Sequence, residues 1–138
     1  MRHRPVTHAP DLQSFPSGFR ALVIGASGGI GRAFVQLLSA HPRCAEVVSL
    51  HRQSAPSIDF DNETSIANAA TSLCSGGKFH LLINAAGMLH NVTFMPEKKL
   101  GDLSYAQLEA TFRVNTFGPA LVLRHFSPLL ASDRAVLA

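Results

Sequence analysis

Leu22-Val23-Ile24-Gly25-Ala26-Ser27-Gly28-Gly29-Ile30-Gly31-Arg32 sets four glycines between two apolar patterns of different period. Ala21-Leu22-Val23-Ile24 is a short apolar run that stops at Gly25, as a strand buried on both faces would. After Gly31, Ala33, Phe34, Leu37 and Leu38 recur at helical spacing, and His41-Pro42 must end that helix. Gly25 lets the chain turn sharply out of the strand, and Gly31 lets the helix pack close to it. Gly28 and Gly29 allow an anion to approach the backbone without meeting a Cβ, while the helix start offers free N–H groups and a positive dipole end. A glycine cluster alone could be an ordinary tight turn. Between a first strand and a helix it has the context of a dinucleotide-binding loop.

Outward from this loop, strands and helices alternate. Glu46 to Leu50 reads as a second strand and Ser57 to Phe60 as a weaker third. Asp61 is a candidate cap for a helix carrying Ile66, Ala69, Ala70 and Leu73, which Gly76-Gly77 terminates. Phe79 to Ile83 is a further strand. Gly87 to Leu103 is a long loop, and loops of that length tend to be functional. Ser104 with Gln107 forms a capping box for a helix reaching about Leu130, bent at Gly118-Pro119. Ala135-Val136-Leu137 reads as one more strand, cut short. The expected fold is α/β, a Rossmann-type doubly wound parallel sheet truncated after the start of the fifth strand. Residues 19–138 form the expected NAD(P)-binding domain, incomplete at its C-terminus, and residues 1–18 a flexible extension.

Bulk properties agree with one small domain. The 138 residues are 46% apolar and 15% charged, which is globular and not disordered material. No apolar run approaches the roughly 18 residues of a membrane span, so no membrane partner is expected. The net charge of +3, to which Arg2, Arg4 and Arg20 contribute, is too weak and dispersed for a nucleic-acid surface but suits an anionic cofactor. Cys44 and Cys74 lack CxxC spacing and read as reduced thiols. The seven histidines form no metal-ligand pattern, so no metal is expected. The first 18 residues lack a secretory apolar core, and prolines interrupt any amphipathic transit helix; cytoplasm is the default.

The glycines also suggest a family. Gly25, Gly29 and Gly31 fit GxxxGxG, which resembles the short-chain dehydrogenase/reductase family; Gly25, Gly28 and Gly31 fit GxxGxxG, which resembles its extended, epimerase-like branch. The loop alone leaves both open. Ile83-Asn84-Ala85-Ala86-Gly87 resembles the family's NNAG motif, with Ala85 in place of the second Asn, and Val114-Asn115-Thr116-Phe117-Gly118 is similar to its VNxxG segment. The resemblance runs from about Phe19 to Ala138. It implies that Asn84, Ala85, Ala86 and Gly87 stabilise the sheet and line the cofactor pocket near the ribose and nicotinamide. It also implies that Asn115 belongs to the catalytic tetrad, bending its helix and holding a relay lysine through a water. The stretch from Leu82 to Leu130 looks most like the C-factor-type subgroup, where a Met-Pro-Glu-Lys segment and a Gly-Pro-Ala-Leu stretch flank the Asn.

NAD-preferring Rossmann proteins carry an acid at the end of the second strand. Here the strand ends Leu50-His51-Arg52, and Glu46 falls at its start. Arg52 could pair with a 2′-phosphate, although His51 and Arg52 could also be ordinary surface residues. NADP(H) is therefore favoured over NAD(H). Asp59-Phe60 resembles the family's adenine-contacting Asp-Val pair. The expected cofactor residues are Gly25, Ser27, Gly28, Gly29, Ile30, Gly31, His51, Arg52, Asp59, Phe60 and Asn84 to Gly87.

The family's Ser, and its Tyr with a Lys four residues on, are absent: the one tyrosine, Tyr105, is followed by Glu109 at that spacing. The resemblance thus implies an NADP(H)-dependent oxidoreductase acting on a small carbonyl or alcohol, a homo-oligomer at full length, of which this chain is an inactive N-terminal portion. A non-catalytic nucleotide- or partner-binding fragment is the alternative.

Overall fold

The computed structural model describes residues 11–138. Four parallel strands carry the fold: β1 (Phe19–Ile24), β2 (Cys44–Leu50), β3 (Leu81–Asn84) and β4 (Val136–Leu137), in the spatial order β2-β1-β3-β4. Between them run α1 (Gly29–Ser39), α2 (Glu63–Leu73), α3 (Tyr105–Phe112) and α4 (Gly118–Phe126). Because every strand is parallel, Ile24, Leu50 and Asn84 finish on one edge of the sheet, in register with one another. That edge is where an open α/β sheet places its ligand crevice.

The period-two alternation of the strands sorts the core into two layers. Ala21, Val23, Leu81 and Ile83 face Leu38 and Val35 of α1, while Leu22, Ile24 and Leu82 face Ile66 of α2 and Val122 and Phe126 of α4. Helices therefore cover both faces, which is the doubly wound arrangement the alternation of elements implies.

Several local expectations need correction. Ser57 to Phe60 is not a strand. The Ile58 N–H goes to the His51 carbonyl and the Asp59 N–H to the Ser65 hydroxyl, so neither can join a ladder beside β2. α2 is capped by Asn62, not Asp61: the Asn62 Oδ1 accepts from the Thr64 and Ser65 N–H groups. Only half of the capping box at Ser104 forms. Its hydroxyl accepts from the Gln107 N–H, but the Gln107 side chain turns away and donates to the Met95 carbonyl.

In α1 the inward line is Gly31, Val35 and Leu38, and Phe34 and Leu37 are left partly exposed. Gly31 fixes that rotation by pressing its bare Cα against Gly25. The long helix after Ser104 is interrupted by a π-turn at Arg113–Phe117, centred on Asn115, one turn earlier than a bend at Gly118-Pro119 would lie. Pro119 follows directly in the first turn of α4; having no N–H it cannot continue the helical ladder, and the irregular turn lies on its N-terminal side.

Of the first 18 residues, those before 11 lie outside the described part. From there on the chain packs on the sheet: Phe15 is buried against Phe19, at 5.2 Å between ring centroids. Cys44 and Cys74 are both free thiols, and burial pushes the Cys44 thiol up from its ordinary pKa.

Candidate functional site

At the C-terminal edge of the strands the glycine loop opens a cleft of about 580 Å³. Gly25 leaves β1 with φ +79°, in the left-handed region where a side chain is strained. A Cβ there would also lie 2.6 Å from the Ala86 N and 2.7 Å from the Ala85 carbonyl carbon. The glycine loop and the end of β3 are thus pressed backbone to backbone, so position 25 admits no side chain. A Cβ on Gly31 would overlap the Gly25 carbonyl oxygen.

Gly29 differs from both. Among the described residues nothing beyond its own helix and chain neighbours lies within 4 Å of where its Cβ would be, so no group there requires a glycine. Gly28 caps α1 with no side-chain hydrogen bond. The N–H groups of Gly29, Ile30 and Gly31 have no partner among the described residues. Bare helix-start amides facing open space are the donor set an anion would use. Arg32 reaches back to hold the loop, donating to the Ser27 carbonyl at 3.1 Å.

The predicted cofactor residues converge in part. Gly25, Ser27, Gly28, His51, Arg52, Asp59, Phe60, Ala85, Ala86 and Gly87 all border the cleft. Gly29, Ile30, Gly31 and Asn84 do not line it. Ile30 projects outward at 71% exposure, and Gly31 is buried against Gly25. Asn84 is occupied locally, its Oδ1 accepting the Ala86 N–H at 3.2 Å.

His51 opens a tight turn after β2. Its carbonyl accepts from the Ser54 hydroxyl and from the N–H groups of Ser54 and Ile58, and its Nδ1 accepts from the Gln53 N–H. Arg52, on the outside of that turn, is exposed and has no hydrogen-bond or ion-pair partner among the described residues. Arg52 and Asp59 also border an adjoining cavity of about 430 Å³ beside the start of α2. Glu46, the one acid on β2, is at the other end of the strand and bonds Arg20 at 2.6 Å.

Asn115 clasps Met88 with both ends of its amide. Its Oδ1 accepts the Met88 N–H at 2.7 Å, and its Nδ2 donates to the Met88 carbonyl at 2.7 Å. The π-turn supplies the extra backbone that brings the side chain to this loop. Tyr105 stands apart at 93% exposure.

Sequence reasoning missed the cleft residues Val114, Met88, His90, Asn91 and Val92. The length of the loop after Gly87 marked the region as functional without singling out any of its residues. Asn91 shapes that loop, its Oδ1 accepting the Thr93 and Phe94 N–H groups at 2.8 and 2.7 Å. Among the described residues no three His, Cys, Asp or Glu side chains gather as a metal would need, and no helix is long and apolar enough to cross a membrane.

No protein-family model matches the chain. It is similar to the short-chain dehydrogenase anuB of Penicillium roqueforti, 29% identical over 145 residues, covering 96% of this chain and 46% of that protein. The short-chain dehydrogenase fogD of Aspergillus ruber is 27% identical over 125 residues, covering 80% of this chain and 41% of that one. The chain therefore spans less than half the length of these curated relatives.

Among solved structures, an NADPH-bound carbonyl reductase from chicken fatty liver shares the fold. It superposes with a TM-score of 0.74 over 89% of this chain and 56% of its own, at 22% identity. A metagenomic short-chain oxidoreductase in complex with NADP has a TM-score of 0.65 at 29% identity, covering 83% of this chain and 57% of its own. Both sequence relatives are named as short-chain dehydrogenases, the family that the three motifs resemble, and the chicken enzyme shares the fold.

Proposed function

We propose that residues 19–138 are the cofactor-binding part of a short-chain dehydrogenase/reductase, of the C-factor-like kind, that moves a hydride between NADP(H) and a small carbonyl or alcohol. The observation that carries this reading is the meeting, at one cleft, of the glycine loop up to Gly28 at the start of α1, an arginine with no partner among the described residues and a strand end made of small residues. The pyrophosphate of NADP(H) would lie over Gly29, within reach of unpartnered N–H groups. Arg52 would give the 2′-phosphate a charge-assisted contact, with His51 beside it. Asp59 would accept from the adenine amino group; one of its oxygens already holds the Asp61 N–H at 3.1 Å. Ala85 to Gly87 would border the ribose and nicotinamide, with Asn84 holding the Ala86 N–H behind them, and the bound cofactor would supply or accept the hydride. Asn115 would keep this wall in place through its clasp on Met88.

Fluorescence titration of the protein with NADPH and with NADH tests the reading. NADPH should bind more tightly; a clear NADH preference would overturn the cofactor assignment, and binding of neither would overturn the reading itself.

A second reading, nucleotide binding without turnover by these residues, is favoured by Tyr105. Glu109 occupies the position four residues on and pairs with Arg113 at 2.9 Å, so no lysine stands there to assist a proton transfer. NADPH oxidation with a panel of small aldehydes and ketones separates the two.

A further inference from the structure

We propose that Phe60 is a positioning residue of this site: seated on the bare backbone of Gly118, its ring sets the place of the π-turn that carries Asn115. One wall of the adenine end of the cleft and the clasp on Met88 would then move as a unit. The proposal rests on the cofactor reading above.

The contact is close and cannot easily yield. A Cβ on Gly118 would overlap the Phe60 Cδ2 and lie 2.7 Å from Cγ and 2.9 Å from Cε2. These atoms belong to a buried ring of the core cluster that includes Val122 and that Val114 packs against, not to the tip of a flexible side chain. Phe60 also borders the cleft, as does Val114 from the π-turn. Its backbone is held on both sides. The Asp59 N–H is taken by the Ser65 hydroxyl of α2, and the Asp61 N–H by the Asp59 carboxylate.

Gly118 is equally committed. Its N–H donates to the Arg113 carbonyl and closes the π-turn that contains Asn115. A valine, as in the Asp-Val pair the segment resembles, would not reach as far as the ring does. In this chain the large residue at 60 and the absent side chain at 118 are therefore complementary. Filling the contact must displace either the cleft wall or the turn, and with the turn both hydrogen bonds from Asn115 to Met88.

The test compares the wild type with Gly118→Ala, Phe60→Val and the double variant. Two readouts are followed: NADPH affinity, and hydrogen exchange at the Met88 amide, which Asn115 protects. Gly118→Ala should weaken NADPH by about tenfold, the scale of coupling between residues in direct contact, and should speed Met88 exchange. Phe60→Val should loosen the same clasp by leaving a hole over the glycine. The double variant should recover most of both properties.

Wild-type behaviour of Gly118→Ala, or a double variant no better than that single one, overturns the proposal. Should Gly118→Ala fail to fold, a folded double variant supports it and an unfolded one refutes it. A wild type that binds no NADPH would sink the cofactor reading, while Met88 exchange across the four proteins would still decide the role of Phe60.

Discussion

At the N-terminal ends of the strands, Arg20 donates Nε to the Glu46 carboxylate at 2.6 Å, reaches the Gly77 carbonyl and lies 4.5 Å over the Phe79 ring. At the C-terminal ends, Arg52 and the first amides of α1 have no partner among the described residues. The same strands carry both ends, and both hold cations and backbone donors. Arg20 joins β1 to β2 and to the turn before β3, filling the space beside Gly76 and Gly77. Arg52 joins nothing among the described residues. Saturated polar groups hold a structure together, whereas donors kept open in a cleft are available to a ligand. On the proposed reading, the difference separates the end of the sheet that serves stability from the end that serves recognition.

Substitutions at the two ends should separate these properties. The largest effect on recognition is expected from Gly29→Val, which puts a branched side chain where, among the described residues, nothing beyond its own helix and chain neighbours lies within 4 Å. NADPH binding in a fluorescence titration should be lost, while stability to urea changes by no more than about 0.5 kcal/mol, as for other surface changes. Binding near that of the wild type would mean that the loop is only a turn. Gly31→Ala, two residues on, should do the reverse. Its Cβ meets the Gly25 carbonyl, which is backbone and cannot swing aside, so the fold should lose about 3 kcal/mol by urea denaturation.

Arg20→Ala should cost about 2 kcal/mol of stability through the lost bonds to Glu46 and Gly77 and the lost contact with Phe79, and leave NADPH affinity unchanged. A fall in affinity would show that the two ends are coupled. The smallest and most selective change is expected from Arg52→Ala: NADPH affinity should drop by about 1.5 kcal/mol, with NADH affinity and stability unaltered. An equal loss for both nucleotides would remove Arg52 from the 2′-phosphate.

The readable and the unreadable parts of this molecule divide by range. Gly25 and Gly31 were legible because the positive φ of the one and the contact of the other with Gly25 arise within the strand-turn-helix they belong to, whereas the approach of Ala85 and Ala86 to Gly25 does not. The loop after Gly87 was legible as a region only, since its length says nothing about which residue faces inward; Asn91 and Met88 acquire their places through bonds formed in the folded loop. The strand expected at Ser57 to Phe60 had suitable residues, yet its amides were claimed by His51 and Ser65. Helical spacing in α1 was read correctly as a period, but its phase was not: Leu38 faces in and Phe34 does not, because the contact of Gly31 with Gly25 sets the rotation.

By itself, then, the sequence determined the alternation of strands and helices, the glycine turn after β1 and the absence of an acid after β2. All of these follow from local backbone freedom and from the spacing of apolar residues. Only the tertiary structure decided that Asn115 reaches Met88 through a π-turn, that Phe60 rests on Gly118 and that Arg52, unlike Arg20, finds no partner among the described residues. Each of these depends on which surfaces meet when distant segments pack at full density, and no local pattern encodes that meeting.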